Sequence, residues 1–210
     1  MKKVLIATLV AVFTLGWGLA YAADWTSVAD KLTKAVVPIT YDGDGGCTGF
    51  VVDTARKFVL TAAHCDVSAG QKIYVDQSPA TVVNKDVKRD LMVLKVEDLN
   101  DDKVALKLAG DHPRIGEAVA SFGFGYALER PMFRTSFVAD NEMDIPDLEG
   151  GPFIIFDASF VGGQSGGPIV NGAGDVVAIV QRASNNVGIG VGVGTIKSRV
   201  GRYFTVPGAK

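Results

Sequence analysis

Gly162-Gly163-Gln164-Ser165-Gly166-Gly167-Pro168 sets one hydroxyl among glycines and ends on a proline. Glycine lets the backbone turn sharply and aim successive N–H groups at one point, an arrangement that suits an oxyanion. A serine hydroxyl is a weak nucleophile at neutral pH, so chemistry at Ser165 requires a base within reach and a group that orients the base. The chain holds two histidines, and one of them, His64, lies in Thr61-Ala62-Ala63-His64-Cys65. An aspartate follows at Asp90, directly ahead of the apolar run Leu91-Met92-Val93-Leu94. Alone, an aspartate there reads as a strand-start or turn residue; beside a candidate nucleophile and base it becomes the candidate orienting group. Asp86, the nearest competitor, has no apolar strand directly behind it.

The order His, Asp, Ser is that of chymotrypsin-type enzymes, whereas subtilisin-type and α/β-hydrolase chains run in other orders. The motifs themselves resemble the chymotrypsin-fold (trypsin-like) serine endopeptidases, above all their bacterial HtrA-like, or Deg-type, branch. Thr61 to Cys65 is similar to the histidine motif of that family, Asp90 to Lys95 to its aspartate strand, and Asp157 to Pro168 to its serine loop. The resemblance covers nearly all of the chain beyond its first 22 residues. It implies an all-β fold of two six-stranded antiparallel Greek-key barrels, with a short N-terminal helix and a closing C-terminal helix. It also implies peptide hydrolysis by His64, Asp90 and Ser165, with the backbone N–H groups of Gly163 and Ser165 as the oxyanion hole.

By the same resemblance Ser159 lies at the base of the primary substrate pocket, Gln181, Arg182 and Ala183 along one wall, and Gly188 to Gly190 along the other. No carboxylate stands at that base, so cleavage after apolar residues of small or medium size is expected rather than cleavage after Lys or Arg. Many chymotrypsin-like digestive enzymes carry an aspartate immediately before the serine, which pairs with a newly cut N-terminus. Gln164 stands there instead, as an amide does in HtrA-like enzymes, and no zymogen cleavage beyond removal of a leader is expected. HtrA-like proteins typically continue into a peptide-binding PDZ domain; the resemblance stops with the protease domain at Lys210, so PDZ-based regulation and assembly are not carried over.

At 210 residues and 48% hydrophobic composition, the chain can bury one sizeable core or two small ones. A formal net charge of −2 offers no electrostatic footprint for nucleic acid, and that class is set aside. The 25 glycines follow no period, which suits short strands and tight turns. Met1-Lys2-Lys3, the apolar run Val4 to Leu19 and Ala20-Tyr21-Ala22 have the three parts of a secretory signal over residues 1–22, with cleavage expected after Ala22 and a secreted or periplasmic destination. The rival reading is a retained membrane anchor, because the apolar run approaches bilayer-spanning length. In an exported chain whose only cysteines are Cys47 and Cys65, a disulfide between them is the economical inference, and it resembles the bridge beside the family's histidine. The loop-entropy model values such a bridge at about 3 kcal/mol. A metal site at His64 and the cysteines lacks enough spaced ligands, and no metal or cofactor is expected.

Apolar spacing from Trp25 to Val36 predicts a short amphipathic helix, followed by a strand at Val36 to Tyr41 and a solvated turn at Asp42 to Gly46. Cys47 to Val52 and Lys57 to Ala62 read as a hairpin that delivers His64. Ile73 to Val83 is strand-like with an interruption at Pro79, and Leu91 to Val96 is a strand. These place barrel one at about 36–108 and the inter-barrel connection near 105–113, with His112 as an exposed loop residue. Barrel two, about 113–195, opens with Ile115 to Gly123 and continues through Phe133 to Val138, Phe153 to Phe156, Val176 to Val180 and Val187 to Val193. Asp140 to Glu149, with five carboxylates and no basic residue, reads as a solvated loop; cation binding or contact with a basic segment is the open alternative. Helical spacing of Ile196, Val200 and Tyr203 or Phe204 predicts the closing helix at about 195–204. The expected partners are polypeptide substrates. A second class, a protease-fold domain that binds a protein without cutting it, stays open, although no triad member is missing.

Overall fold

A computed structural model describes residues 23–41, 44–65, 72–126, 129–184 and 186–205. The expected leader at 1–22 and part of the turn after Tyr41 lie outside the described residues. The first element among the described residues, α1 (Trp25–Ala35), starts where the Asp24 carboxylate accepts hydrogen bonds from the N–H groups of Thr26 (3.1 Å) and Ser27 (3.2 Å). This satisfies two of the donors that a helix start leaves unpaired. Val28, Leu32 and Ala35 form its buried face.

Among the described residues twelve strands follow. β1 (Val36–Tyr41), β2 (Asp44–Asp53), β3 (Phe58–Thr61), β4 (Ile73–Val75), β5 (Ser78–Asp86) and β6 (Leu91–Val96) close into an antiparallel barrel in the order β1-β2-β3-β6-β5-β4. β7 (Ala118–Gly123), β8 (Met132–Met143), β9 (Phe153–Phe156), β10 (Pro168–Val170), β11 (Val176–Ser184) and β12 (Val187–Gly192) close into a second one. Read from β7, its order is β7-β8-β9-β12-β11-β10, the same circuit as the first. The expected architecture of two six-stranded barrels is the one observed.

The unbroken apolar run of β6 reflects burial on both faces. Met92, Leu94 and Val96 pack inside barrel one with Val37, Ile39, Val51 and Val59. Leu91 and Val93 instead join a core shared by both barrels and the helices, which includes Leu32, Phe50, Phe122, Phe153 and Ile196. Barrel two has its own interior around Val119, Ile154, Phe156, Ile169 and Val180.

Two expectations are corrected. The strand-like run from Ile73 to Val83 breaks not at Pro79 but at Asp76-Gln77, whose φ angles of 49° and 70° belong to a two-residue hairpin turn. Pro79 sits inside β5 opposite Tyr74. The acidic stretch is not wholly loop: Asp140 to Met143 extend β8, with Asp140 opposite Ile155 and Met143 opposite Phe153. Register shifts on either side of Asp140 accommodate this extension.

The closing helix α2 (Val193–Val200) continues into a 3-10 turn at Gly201–Tyr203. It is tied to barrel one by Arg199, whose Nε donates to Asp86 Oδ2 at 2.6 Å. Burial alone would raise the Asp86 pKa, but hydrogen bonds from Arg199 and the Arg89 N–H, with both guanidinium charges, hold it below its usual 3.8. A carboxyl depressed on folding contributes stability that is complete above its unfolded pKa and lost as pH falls through the folded one. Asp86→Asn is therefore expected to lower unfolding stability at neutral pH by about 1 kcal/mol, with the difference vanishing in acid. Urea melts of both proteins across the acid range check this.

Candidate active site

β3 delivers His64 into a 3-10 turn, Ala63–Cys65, closed by a hydrogen bond from the Cys65 N–H to the Ala62 carbonyl (3.2 Å). A disulfide between Cys65 and Cys47, with Cα atoms 6.1 Å apart, ties this turn back to β2. Asp90 ends the turn before β6 in the left-handed region (φ 56°), its N–H donating to the Val87 carbonyl at 3.3 Å. The turn is anchored on two sides. The Arg89 N–H donates to Asp86 Oδ1 (3.0 Å), and the Arg89 guanidinium donates to the Gly151 carbonyl of barrel two (2.7 Å).

Asp90 holds His64 at two points. Oδ1 accepts the His64 backbone N–H at 2.8 Å, and Oδ2 lies 2.8 Å from ring Nδ1. An ionised carboxylate only accepts, so the proton of a neutral imidazole resides on Nδ1 and the lone pair on Nε2. Asp90 is buried while the His64 side chain is 46% exposed, so the orienting group is shielded and the base can be reached. Asp86, the competing carboxylate, is committed to Arg199 and Arg89.

Ser165 follows a tight turn in which the Gln164 N–H donates to the Val161 carbonyl at 3.1 Å and Gly163 takes a φ of 94°. A positive φ at that third turn position is the mark of a type II turn. A Cβ at Gly163 would stand 2.3 Å from the Phe124 carbonyl oxygen, and one at Gly166 (φ 82°) would stand 2.2 Å from Thr61 Oγ1. Gln164 is buried, and its Oε1 accepts the Val161 N–H at 3.0 Å, so the loop is braced by its own side chain. The N–H groups of Gly163 and Ser165 donate to no other group among the described residues.

Thr48 of barrel one, which the sequence reading passed over, fixes this loop from across the barrel boundary. Its N–H donates to the Ser165 carbonyl (2.8 Å), and its hydroxyl donates to the Gly163 carbonyl (2.8 Å) while accepting from the Phe124 N–H (2.9 Å). A lone threonine beside a cysteine carries no local signal of that role. The Ser165 hydroxyl itself donates to the Gln181 carbonyl at 3.4 Å.

His64 and Ser165 line one cavity of about 540 Å³, walled by Phe160 to Gly162 and by Val180 to Ala183. Gln181, Arg182 and Ala183 are among its lining residues. Ser159 and Gly190 are not among the lining residues. Ser159 turns its hydroxyl to the Phe160 carbonyl (3.2 Å), and Gly190 is buried in β12 between Val180 and Ile154. Phe160 also lines the cavity, a buried ring packed on Phe156 with centroids 6.0 Å apart. Cys47, His64 and Cys65 also bring three potential metal ligands together, but the two sulfurs are bonded to each other.

Residues 47–179 match the family described as a trypsin-like peptidase domain. The chain is 32% identical over 157 residues to a probable periplasmic serine endoprotease, DegP-like, of Chlamydia pneumoniae, covering 70% of this chain and 31% of that protein. It is 30% identical over 169 residues to serine protease HTR4 of Rattus norvegicus, covering 76% of this chain and 31% of that protein. It thus spans about a third of the length of these relatives. Among solved structures, the active form of the Rv3671c protease from M. tuberculosis superposes with a TM-score of 0.71 at 23% identity, covering 87% of this chain and 86% of that one. The HtrA-type protease AlgW with a tripeptide gives 0.69 at 21% identity, over 80% of this chain and 59% of that one. At such identities the structural likeness speaks for the fold.

Proposed function

Since the chain belongs to the trypsin-like peptidase domain family and is similar to HtrA/DegP-like serine endoproteases, we propose that it is an exported endopeptidase working through Ser165, His64 and Asp90. The observation that carries this reading is the double hold of Asp90 on His64, together with N–H groups of Gly163 and Ser165 that are unengaged among the described residues. Ser165 attacks the peptide carbonyl while His64 Nε2 takes its proton and then passes it to the leaving amine. Asp90 keeps the imidazole in the required tautomer and stabilises its charged form. The N–H groups of Gly163 and Ser165 bind the oxyanion, and water then releases the acyl group from Ser165.

β11 pairs with β12 through Ser184, but its pairing with β10 ends at Ile179. Gln181 to Ser184 therefore keep an open strand edge, to which the substrate segment preceding the scissile bond adds as a further strand. The side chain of the residue whose carbonyl is attacked enters the cavity, where the Phe160 ring limits depth and favours small apolar groups. Gln164 braces the serine loop without an inserted N-terminus, so removal of residues 1–22 suffices for maturation.

The test is a cleavage-site profile on a denatured proteome, using protein that begins at Ala23. Cuts after small apolar residues are expected, and Phe160→Ala should shift preference toward larger side chains on the order of tenfold. Cuts mainly after Lys or Arg would overturn the pocket reading. Activity that appears only after further N-terminal trimming would overturn the role of Gln164, and folded protein that makes no cuts would favour a binding domain.

A further inference from the structure

A second cavity, of about 670 Å³, continues from the first past His64 and shares Gln181 and Arg182 with it. Its remaining lining comes from Ala63, from Lys85 at the end of β5, from Val87, Lys88 and Asp90 in the turn that follows, and from Leu148 and Glu149 ahead of β9. Three of its side chains are cationic: Lys85, Lys88 and Arg182. Against them stand Glu149 and Asp90, and both oxygens of Asp90 are engaged by His64. The nearby Asp86 is paired with Arg199. Lys88 and Arg182 are exposed and form no ion pair among the described residues. Val87, 72% exposed, and Leu148 supply apolar surface between these charges.

This cavity flanks the open edge of Gln181 to Ser184, along which the segment preceding the scissile bond runs in the reading above. A peptide side chain two to four residues before that bond would meet two unpaired cations and one carboxylate. We propose that this groove selects polypeptides carrying Glu or Asp two to four residues before the cleaved bond. The proposal rests on the endopeptidase reading for the direction of the peptide, but the charge preference is a property of the groove itself. Solvent-exposed pairs are individually weak and are screened over about 8 Å at physiological ionic strength, so the selection is graded and salt-sensitive.

The test uses three peptides identical except for Glu, Gln or Lys at these positions, in two assays at low and high salt: kcat/KM with the unaltered protein, and fluorescence anisotropy binding to the Ser165→Ala variant. Glu is expected to exceed Gln by about three- to tenfold at low salt, with Lys last. The Glu-to-Gln ratio should fall toward one at high salt and in Lys88→Gln/Arg182→Gln protein. Equal treatment of Glu and Gln in both assays, or a preference for Lys, overturns the proposal. Hydrolysis without discrimination removes the groove's role and leaves the peptidase reading intact. Preferential binding of the Glu peptide without hydrolysis by the unaltered protein upholds the groove and removes the peptidase reading.

Discussion

Ser165→Ala is expected to lower kcat by roughly 10⁴- to 10⁶-fold, and His64→Ala added to it should lower kcat little further. The reason lies in how the three side chains depend on one another. In the proposed mechanism the hydroxyl attacks only when a base takes its proton, and Nε2 of His64 is that base only while Asp90 Oδ2, 2.8 Å from Nδ1, keeps the proton on the other nitrogen. Removing one member disables the others, so the losses do not add. Asp90→Asn tests the same dependence: its amide can turn a donor toward Nδ1 and favour the wrong tautomer, and a loss near 10⁴-fold is expected. Single-turnover kinetics with an activated peptide ester measure all three. A double variant far slower than either single one would show that the residues act independently and contradict this account.

Gly163→Ala should produce the second largest effect, a fall in kcat of roughly 10²- to 10³-fold with substrate affinity much less changed. Gly163 holds a φ of 94°, which a side chain disfavours, and a Cβ there would stand 2.3 Å from the Phe124 carbonyl oxygen. Backbone is the obstacle, so the turn between Val161 and Gln164 must rearrange and the Gly163 N–H must leave its direction. In the proposed mechanism that donor serves the oxyanion, which exists only along the reaction path, so kcat should fall more than KM rises. An unchanged kcat in folded Gly163→Ala protein would mean that the oxyanion is held elsewhere.

The sequence made legible those features whose chemistry is local. His64, Asp90 and Ser165 each sit in a short motif, and β6 announces itself as an apolar run because both of its faces are buried. Cys47 and Cys65 could be paired because the chain has no other cysteines. What escaped was long-range or conformational. The Asp76-Gln77 turn lacks the glycine that usually marks positive φ, so one stretch hid two strands. Thr48 acts on a loop 115 residues away in sequence, a link that exists only once the barrels meet. Phe160 lines the cavity with its ring packed on Phe156, a contact between strand and loop that spacing does not reveal. The shared strand circuit of the two barrels is likewise a relation of topology, invisible where no repeated residues accompany it.

The central claim is that the glycine-framed hydroxyl of Ser165 is a nucleophile activated by His64. Intact-protein and peptide mass spectrometry after treatment with a fluorophosphonate tests it most directly. A single covalent adduct on Ser165 is expected, absent from Ser165→Ala and strongly slowed in His64→Ala. Folded protein that remains unlabelled, or an adduct on another residue that forms equally in the Ser165→Ala variant, would contradict it.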